Sequence, residues 1–420
     1  MARKKFDIPD IYQSPIIRKV KDANKVVDPR KKDLEPSVLD FGPVQFYIPR
    51  HFGFCYGVEN AIDIAYRTVE ENPDKDIYLL SEMIHNPTVN EDLQARGVKF
   101  LFETDGTELI PLSSLDEDDI VIVPAFGTTI EIQEKLKKQG IDPYEFNTTC
   151  PFVEKVWKRG SQLGNKGYSL VIHGKHEHEE TRATFSHSSN HSECVVVLDT
   201  EEAQILADIM TGERPKSDFD KYFGHKSTEG FDPHKSLEHF GVINQTTMLA
   251  TETQEVMDIL KEAAEKRFGE SEVLDHFADT TDTLCYATNE NQSATLALAD
   301  TDADLALVVG GYNSSNTMHL VEILEHAFPT YHVRDAEEII SNSLIQHFNQ
   351  WDKEIIKTEN WLPDIVNEKE GPVKIAITSG ASCPDVLVDE VLLKVLNYFD
   401  NTRDLEEIIK PFEKKLDEVA

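Results

Sequence analysis

The sequence lacks several features that would place the chain in a membrane, in a secretory route or on nucleic acid. It contains no run of about 18 apolar residues, the length that a helix needs to cross a bilayer, so we expect no membrane span. Its first residues, MARKKFDIPDIYQSPIIRK, have no apolar core of a secretory signal. Basic residues are scarce, because 42 Lys and Arg stand against 77 Asp and Glu, a formal net charge of −35. This acidic balance disfavours binding to the nucleic-acid backbone.

Cysteine is also rare, with five in 420 residues. An odd number at wide spacings does not form the disulfide framework of a small secreted domain. We therefore expect a reducing compartment, either the cytoplasm or, in a eukaryote, the plastid stroma. The chain has no P-loop, no G-x-G-x-x-G and no H-E-x-x-H, so the sequence predicts neither a bound nucleotide nor a protease-type zinc site.

Short apolar runs alternate with helical patterns along most of the chain. The runs predicted to be buried strands are DIYLLSE, IVIVPAFG, YSLVIHGK, FGVINQTT, LALVVGG and KIAITSG. Each precedes a turn and a helix, an alternation typical of α/β folds with mostly parallel sheets.

We predict three similar α/β domains, at residues 46–149, 150–283 and 284–399. The second domain carries a polar, turn-rich insertion at about residues 212–236. Residues 1–45 are charged and interrupted by proline, and we predict that they form an extended arm. Residues 400–420 are predicted to form a charged amphipathic tail.

Three of the cysteines, one per predicted domain, lie in short loops that lead into helices: Cys55, Cys150 and Cys285. The N-terminus of a helix carries partial positive charge, which favours thiolate over thiol and so favours metal ligation. Three converging thiolates would hold an iron–sulfur cluster and leave one iron open for something other than protein. Cys194 begins a β-branched run, and it and Cys383 are predicted to be structural.

Three further loops combine hydroxyls, amides and backbone N–H groups at strand ends. They are His85 with Asn86 and Pro87, NSSN at residues 313–316, and SGAS at residues 379–382. This combination suits an anion such as diphosphate. Ordinary N-capping is the alternative for any one loop, but three loops of the same layout favour a shared anion site.

The segment IHGKHEHEETRAT supplies candidate acid–base groups directly after a predicted strand. His173, His176 and His178 alternate with Glu177, Glu179 and Glu180. A histidine with a carboxylate two positions later can form a proton relay at neutral pH. The motif NQTT, residues 244–247, ends another strand and offers threonine hydroxyls, although a helix cap is the alternative there.

Taken in order, these motifs resemble the 4-hydroxy-3-methylbut-2-enyl diphosphate reductase family. The matching motifs are FGFCYGVENAI, IHNPTV, TTCPFVEKV, HEE with T-x-A-T, NQTT, LCYATNENQ, NSSN and SGASCPD. They extend over roughly residues 46 to 398, and PAFG and the GFDP-bearing insertion are similar to the plant and cyanobacterial branch.

The resemblance implies a pseudo-threefold trefoil of α/β domains around one [4Fe–4S] cluster, held by Cys55, Cys150 and Cys285. It implies an allylic diphosphate substrate whose hydroxyl meets the open iron. Glu180, His178 and Thr246 would be catalytic, Glu180 as the proton donor. The residues that it implies for substrate binding are His85, His178, Gln245, Thr246, Ser314, Ser315, Asn316 and Ser382.

The implied reaction is a reductive dehydroxylation that yields isopentenyl and dimethylallyl diphosphate. Electrons would come from a ferredoxin or flavodoxin, because the chain shows no flavin or nicotinamide motif. The resemblance does not decide whether the chain forms a homodimer. The alternatives are a cluster-dependent hydro-lyase and a non-catalytic iron–sulfur sensor.

One position departs from the family pattern. Many bacterial members have a second phosphate-binding histidine where this chain has Phe126, and a phenyl ring cannot donate to phosphate. We expect that contact to be absent or to be replaced by Thr128 or by backbone.

Overall fold

The structure is a computed structural model that describes residues 6–30, 32–278, 280, 283–368 and 370–417. Its α-helices in chain order are α1 (Ile17–Val27), α2 (Tyr56–Glu71), α3 (Pro87–Ala95), α4 (Ile130–Lys138), α5 (Pro151–Gly164), α6 (Glu179–Ser189), α7 (Thr200–Thr211), α8 (Phe219–Phe223), α9 (Ala250–Phe268), α10 (Val273–His276), α11 (Tyr286–Ala299), α12 (Ser315–Glu325), α13 (Pro363–Glu368), α14 (Asp385–Leu396) and α15 (Leu405–Asp417). No helix in the described residues combines the length and the apolar character that crossing a membrane requires.

Within the described residues, the strands form three sheets. In chain order they are β1 (Ser37–Asp40), β2 (Val44–Ile48), β3 (Ile77–Leu79), β4 (Lys99–Phe100), β5 (Ile120–Ile122), β6 (Ser169–His173), β7 (Cys194–Val197), β8 (Phe240–Asn244), β9 (Phe277–Ala278), β10 (Leu305–Val309), β11 (Thr330–Val333), β12 (Ile339–Ser341), β13 (Leu344–Asn349), β14 (Glu354–Glu359) and β15 (Val373–Ser379).

Two of the sheets are entirely parallel. Their strand orders are β4-β3-β5 and β7-β6-β8-β9. The largest sheet runs β1-β2-β15-β10-β11-β13-β12, with β14 paired to β13. Its centre, from β2 to β11, is parallel, and its two ends are antiparallel. The predicted α/β fold with mostly parallel sheets is confirmed.

The chain divides into two compact units. Unit one comprises Met1–Glu59, His85–Thr88 and Tyr286–Ala420, and unit two comprises Asn60–Ile84 and Val89–Cys285. The predicted boundary at residue 46 is wrong, because β2 pairs in parallel with β15, more than 300 residues later, and so belongs to the sheet of unit one. Each predicted domain still contains one sheet or most of one.

The extended arm predicted for residues 1–45 is also wrong, because this segment contains α1 and β1. Ile17, Val20 and Ala23 are fully buried in the core of unit one. The buried carboxylate of Asp389 caps the start of α1, accepting hydrogen bonds from the backbone N–H groups of Ile16 and Ile17, both at 3.0 Å. A carboxylate at a helix N-terminus satisfies donors that the helix cannot.

The predicted insertion at about residues 212–236 and the predicted tail at residues 400–420 both contribute side chains to the hydrophobic cores. The polar insertion contains α8, and Phe219, Phe223 and Phe231 from this region are buried in a hydrophobic cluster of unit two. The tail forms the amphipathic helix α15, whose Ile409 and Phe412 are buried in unit one.

Candidate functional site

Two of the predicted anion loops emerge side by side in unit one. The parallel strands β10 and β15 end in register, with Val309 opposite Ser379. The loops NSSN and SGAS therefore leave the same edge of the sheet. The carboxyl ends of parallel strands are where open α/β sheets bind ligands.

Hydrogen bonds bring the third loop to the same place. The hydroxyl of Ser382 lies 3.2 Å from the backbone carbonyl of His85 and 3.4 Å from the hydroxyl of Ser314. The backbone N–H of Ala381 donates to Oδ1 of Asn316 at 2.7 Å. Unit one thus brings Ser314, Asn316 and Ser382 together with the backbone of His85, and Ser315, 3% exposed, begins α12 beside them.

Glycine makes this close approach sterically feasible. A Cβ atom at Gly311 would lie 2.5 Å from the carbonyl oxygen of His85, and one at Gly380 would lie 2.0 Å from the hydroxyl of Thr317. Both distances are far below van der Waals contact. The loops can therefore approach each other this closely only with glycine at these positions.

The hydrogen bonding of Asn316 indicates a ligand-binding role. Its side chain is 3% exposed, and while Oδ1 is bonded, Nδ2 has no hydrogen-bond partner in the part of the chain that the structure describes. A buried donor without a partner costs about 1–3 kcal/mol. An acceptor such as a phosphate oxygen would remove that cost. Ser314 caps α12 by accepting from the backbone N–H of Thr317, which leaves its hydroxyl proton for another acceptor.

Cys55 lies beside the SGAS loop. Its backbone N–H donates to the carbonyl of Ala381 at 3.2 Å, and the N–H of Gly53 donates to that of Ser379 at 3.4 Å. Gly53 has a φ of +70°, and a Cβ there would meet the carboxylate of Asp385 at 2.1 Å. Glycine in the FGFC motif therefore lets the cysteine loop approach the predicted anion site.

The other two candidate ligands lie in unit two. Cys150 is the N-cap residue of α5, with Pro151 as the first helical residue, and its N–H donates to the carbonyl of Ala125 at 2.9 Å. Cys285 immediately precedes α11 and is 8% exposed. Near it, the hydroxyl of Thr283 donates to Oδ1 of Asn244 at the end of β8, at 2.7 Å. Both cysteines thus stand at helix starts, as predicted.

The remaining two cysteines differ in environment. Cys194 is fully buried on β7, and burial raises the pKa of its thiol to about 12. Cys383 is fully buried as well, and burial also raises its pKa. Neither favours thiolate, whereas Cys55 and Cys150 are partly exposed, and all five are free of disulfides. Among the described residues no group of His, Cys, Asp and Glu side chains could hold a single metal ion.

The acid–base segment of unit two presents one well-defined pair. Glu180 is 1% exposed, and its carboxylate accepts from the backbone N–H of Thr246 at 2.5 Å and from the Thr246 hydroxyl at 2.9 Å. The motifs HEE and NQTT therefore meet. The threonine hydroxyl is oriented by the carboxylate, so its oxygen lone pairs are available to a donor from a ligand.

His178 is the N-cap residue of α6, where its Nδ1 accepts from the N–H of Glu180 at 3.2 Å. The ring of Phe126 packs edge-on against the His178 ring, with centroids 5.7 Å apart. Phe126 stands where many family members have a second phosphate-binding histidine, and here its ring contacts the candidate histidine His178. Thr128, the predicted replacement, is 7% exposed, and its backbone carbonyl faces Nε2 of His187 at 3.1 Å.

Gln245 and His173 are more deeply placed than the sequence indicated. Gln245 is fully buried, and its Oε1 accepts from the hydroxyl of Thr181 at 3.0 Å and from the N–H of Lys175 at 3.1 Å. His173 is also fully buried, with Nδ1 2.9 Å from the hydroxyl of Thr253. Thr181 and Thr317 support the loops, and neither was among the predicted site residues. Their positions directly after HEE and NSSN were the available signal.

The chain is similar to known reductases over most of its length. The family model described as LytB protein matches residues 47–396. The 4-hydroxy-3-methylbut-2-enyl diphosphate reductase of Picosynechococcus sp. is 38% identical over 385 residues, 91% of this chain and 89% of that protein. The protein of the same name from Gloeobacter violaceus is 37% identical over 357 residues, 84% and 83% of the two chains.

Among solved structures, the E-1-hydroxy-2-methyl-but-2-enyl-4-diphosphate reductase from Plasmodium falciparum matches with a TM-score of 0.59 at 20% identity. The match covers 87% of this chain and 96% of that one. At this identity, the likeness shows a shared fold.

Proposed function

The chain belongs to the LytB protein family, and from that membership we propose that it reductively dehydroxylates (E)-4-hydroxy-3-methylbut-2-enyl diphosphate. The products are isopentenyl diphosphate and dimethylallyl diphosphate, in the last step of the non-mevalonate isoprenoid pathway. Two electrons and two protons enter, the allylic C–O bond breaks, a C–H bond forms and water leaves. The observation that supports the proposal is the meeting of the loops that carry His85, Ser314, Asn316 and Ser382 in one cluster.

In this proposal Cys55, Cys150 and Cys285 would hold one [4Fe–4S] cluster. The donor set fits, because these three cysteines stand at helix starts whereas Cys194 and Cys383 lie in apolar cores. When bound, the cluster would supply the electrons and a Lewis acid for the allylic oxygen.

The anion loops bind the diphosphate. Asn316 donates through Nδ2, and the hydroxyl of Ser314 donates beside it. Ser382, Ser315 and His85 complete the cluster, Ser382 by donating to the His85 carbonyl and to Ser314. Neutral donors and a helix N-terminus stabilise the anion without the lysine or arginine of a P-loop. This binding fixes the distance between the phosphate end and the allylic end of the substrate.

Glu180 delivers the proton that converts the leaving hydroxyl to water. Thr246 orients the hydroxyl, because its own proton is directed to Glu180 and its oxygen can accept from the substrate. His178 positions Glu180 through the start of α6 and contacts the substrate. Gln245 is fully buried and supports the site from behind, because its amide bonds Thr181, Lys175 and Thr247.

The test is anaerobic reconstitution with iron and sulfide, followed by assay with the allylic diphosphate and dithionite-reduced methyl viologen. We expect viologen oxidation that depends on substrate and forms both products. A hydro-lyase would instead consume substrate without any reductant, and an iron–sulfur sensor would consume none. Either result would overturn the proposal.

A further inference from the structure

The NSSN loop of the anion cluster begins with a tight turn. The carbonyl of Gly311 accepts from the backbone N–H of Ser314 at 3.1 Å, so residues 311–314 form a β-turn with Tyr312 at its first central position. Ser314 then caps α12, and Asn316 lies in the first turn of that helix. The placement of this turn therefore sets where both donors lie.

The side chain of Tyr312 is bonded to a buried carboxyl group. Its hydroxyl donates to Oε1 of Glu338, which is 4% exposed, and Oε2 of Glu338 accepts from the backbone N–H of Arg334 at 2.7 Å. Burial and the adjacent Glu338 raise the pKa of the Tyr312 hydroxyl, so the phenol keeps its proton and remains a donor at neutral pH. The turn is thus tied to the segment between β11 and β12, where Glu338 lies.

Two rings fix the orientation of the Tyr312 phenol. Phe348 of β13 stacks on it with ring centroids 4.7 Å apart, and His332 of β11 packs edge-on against it at 5.1 Å. Nε2 of His332 also lies 3.1 Å from the carbonyl of Gly310, the residue before the turn. Aromatic pairs in these geometries stabilise a packed side chain beyond the burial of its area. The backbone and the side chain of the turn are therefore both held by the same sheet of unit one.

The reaction proposed above uses neither Tyr312 nor Glu338. A buried carboxyl group destabilises a fold unless hydrogen bonds offset the loss of its hydration. Glu338 makes two such bonds, and one of them ends on the turn. This arrangement indicates that the carboxyl group serves to hold the turn in place.

The anion cluster depends on accurate placement of its donors. Hydroxyl and amide groups form weaker hydrogen bonds to phosphate than ionised side chains do, so several of them must be in position together. A loop that is ordered before its ligand arrives also loses less conformational entropy on binding. Fixing the turn therefore strengthens the binding of the diphosphate without a contact to it.

We propose that Tyr312 and Glu338 are positioning residues of the diphosphate site, because their hydrogen bond fixes the turn that places Ser314 and Asn316. The inference rests on the anion site of the proposed function and adds two residues that do not touch the substrate.

The test measures the binding of inorganic pyrophosphate to the reconstituted holoenzyme by calorimetry. Tyr312→Phe keeps the ring and its stacking on Phe348 but removes the bond to Glu338, and we expect the Kd to rise about tenfold. Glu338→Gln keeps a partner for the phenol, because either polar atom of the amide can bond to a hydroxyl, so its Kd should stay within about threefold of that of the parent.

The matched control is Tyr331→Phe. It removes the hydroxyl of another buried tyrosine, whose side chain points to the face of β11 opposite His332. We expect the control to bind pyrophosphate as the parent does. Since both phenylalanine variants lose one hydroxyl from unit one, a role in stability alone would lower both thermal midpoints of unfolding and leave both Kd values unchanged.

Turnover gives a second readout. With dithionite-reduced methyl viologen, we expect the KM of the allylic diphosphate to rise about tenfold in Tyr312→Phe and kcat to stay within about twofold, because the loss affects binding and not the proton donor. An unchanged Kd for pyrophosphate in Tyr312→Phe would overturn this inference alone, as would an equal rise in the control or in Glu338→Gln. A parent enzyme that does not bind pyrophosphate would overturn both the inference and the anion site of the proposed function.

Discussion

Glu180 and Thr246 are joined by two hydrogen bonds, from the backbone N–H and from the hydroxyl of the threonine to the two carboxylate oxygens of the glutamate, at 2.5 and 2.9 Å. The two residues are 66 positions apart. Glu180 lies on α6, which follows β6, and Thr246 follows β8, the strand that pairs with β6. These bonds fix the position of the buried carboxylate, so its contribution to the reaction can be tested by mutation.

Glu180→Gln should retain the fold and lose most turnover. An amide can accept from the Thr246 N–H but cannot supply the proton, so we expect kcat to fall at least about 100-fold. Iron content and substrate affinity should stay near those of the parent. Glu177→Gln, an exposed glutamate of the same segment, is the control. Near-normal kcat in Glu180→Gln would contradict the proton role.

Asn316→Asp should weaken binding of the diphosphate. The new carboxylate still accepts from the Ala381 N–H, but it removes the buried donor Nδ2 and adds a charge of the same sign as the ligand. We expect the inhibition constant of inorganic pyrophosphate to rise about 10- to 100-fold. Asn313→Asp changes the same residue type at an exposed position of the same loop. Unaltered inhibition in Asn316→Asp would remove this amide from the anion site.

Serine substitutions should separate two classes of cysteine. At Cys55, Cys150 or Cys285 we expect less iron per chain after anaerobic reconstitution, because an alcohol is a poorer ligand than a thiolate. Cys194→Ser and Cys383→Ser should retain iron but unfold at lower temperature, since burying a hydroxyl in an apolar core costs about 1–3 kcal/mol. Full iron content in a variant of the first class would remove that cysteine from the ligand set.

His332 predicts a pH dependence of stability. It is fully buried on β11, its Nε2 lies 3.1 Å from the carbonyl of Gly310 before the NSSN loop, and burial lowers its pKa to about 4. Between pH 6.5 and 4 the unfolded chain therefore binds a proton that the folded chain does not, so stability falls as the pH falls through this window, by roughly 3 kcal/mol.

The check is the thermal midpoint of unfolding measured across that window. His332→Gln keeps a donor for the Gly310 carbonyl but does not titrate, so its midpoint should fall less steeply between pH 6.5 and 4 than that of the parent. The control is His326→Gln, at the C-terminal end of α12. Parallel curves for the parent and His332→Gln would show that another group causes the acid sensitivity.

The α/β class was predictable because hydrophobic periodicity is local. Runs such as LALVVGG and KIAITSG each predict a buried strand followed by a turn, and they correspond to β10 and β15. The candidate anion loops were predictable for the same reason, since a loop after a parallel strand lies at the ligand-binding edge of its sheet.

Residues 1–45 show where local reasoning ends. Proline and dense charge in this segment favour an extended chain, but the helix forms because Asp389, more than 370 positions away, caps it and because a sheet core buries one of its faces. Helix stability in proteins comes mainly from such tertiary packing. A single sequence does not display partners at that distance.

The sequence by itself determined which chemical groups this protein has, the order of its motifs and the alternation of its strands and helices. The tertiary structure alone decided that β2 joins the C-terminal sheet, that Ser382 meets His85 and Ser314, and that Asn316 retains a buried donor without a partner. The physical reason is range: backbone propensity and periodicity act over a few residues, whereas pairing, capping and burial depend on groups that only folding brings together.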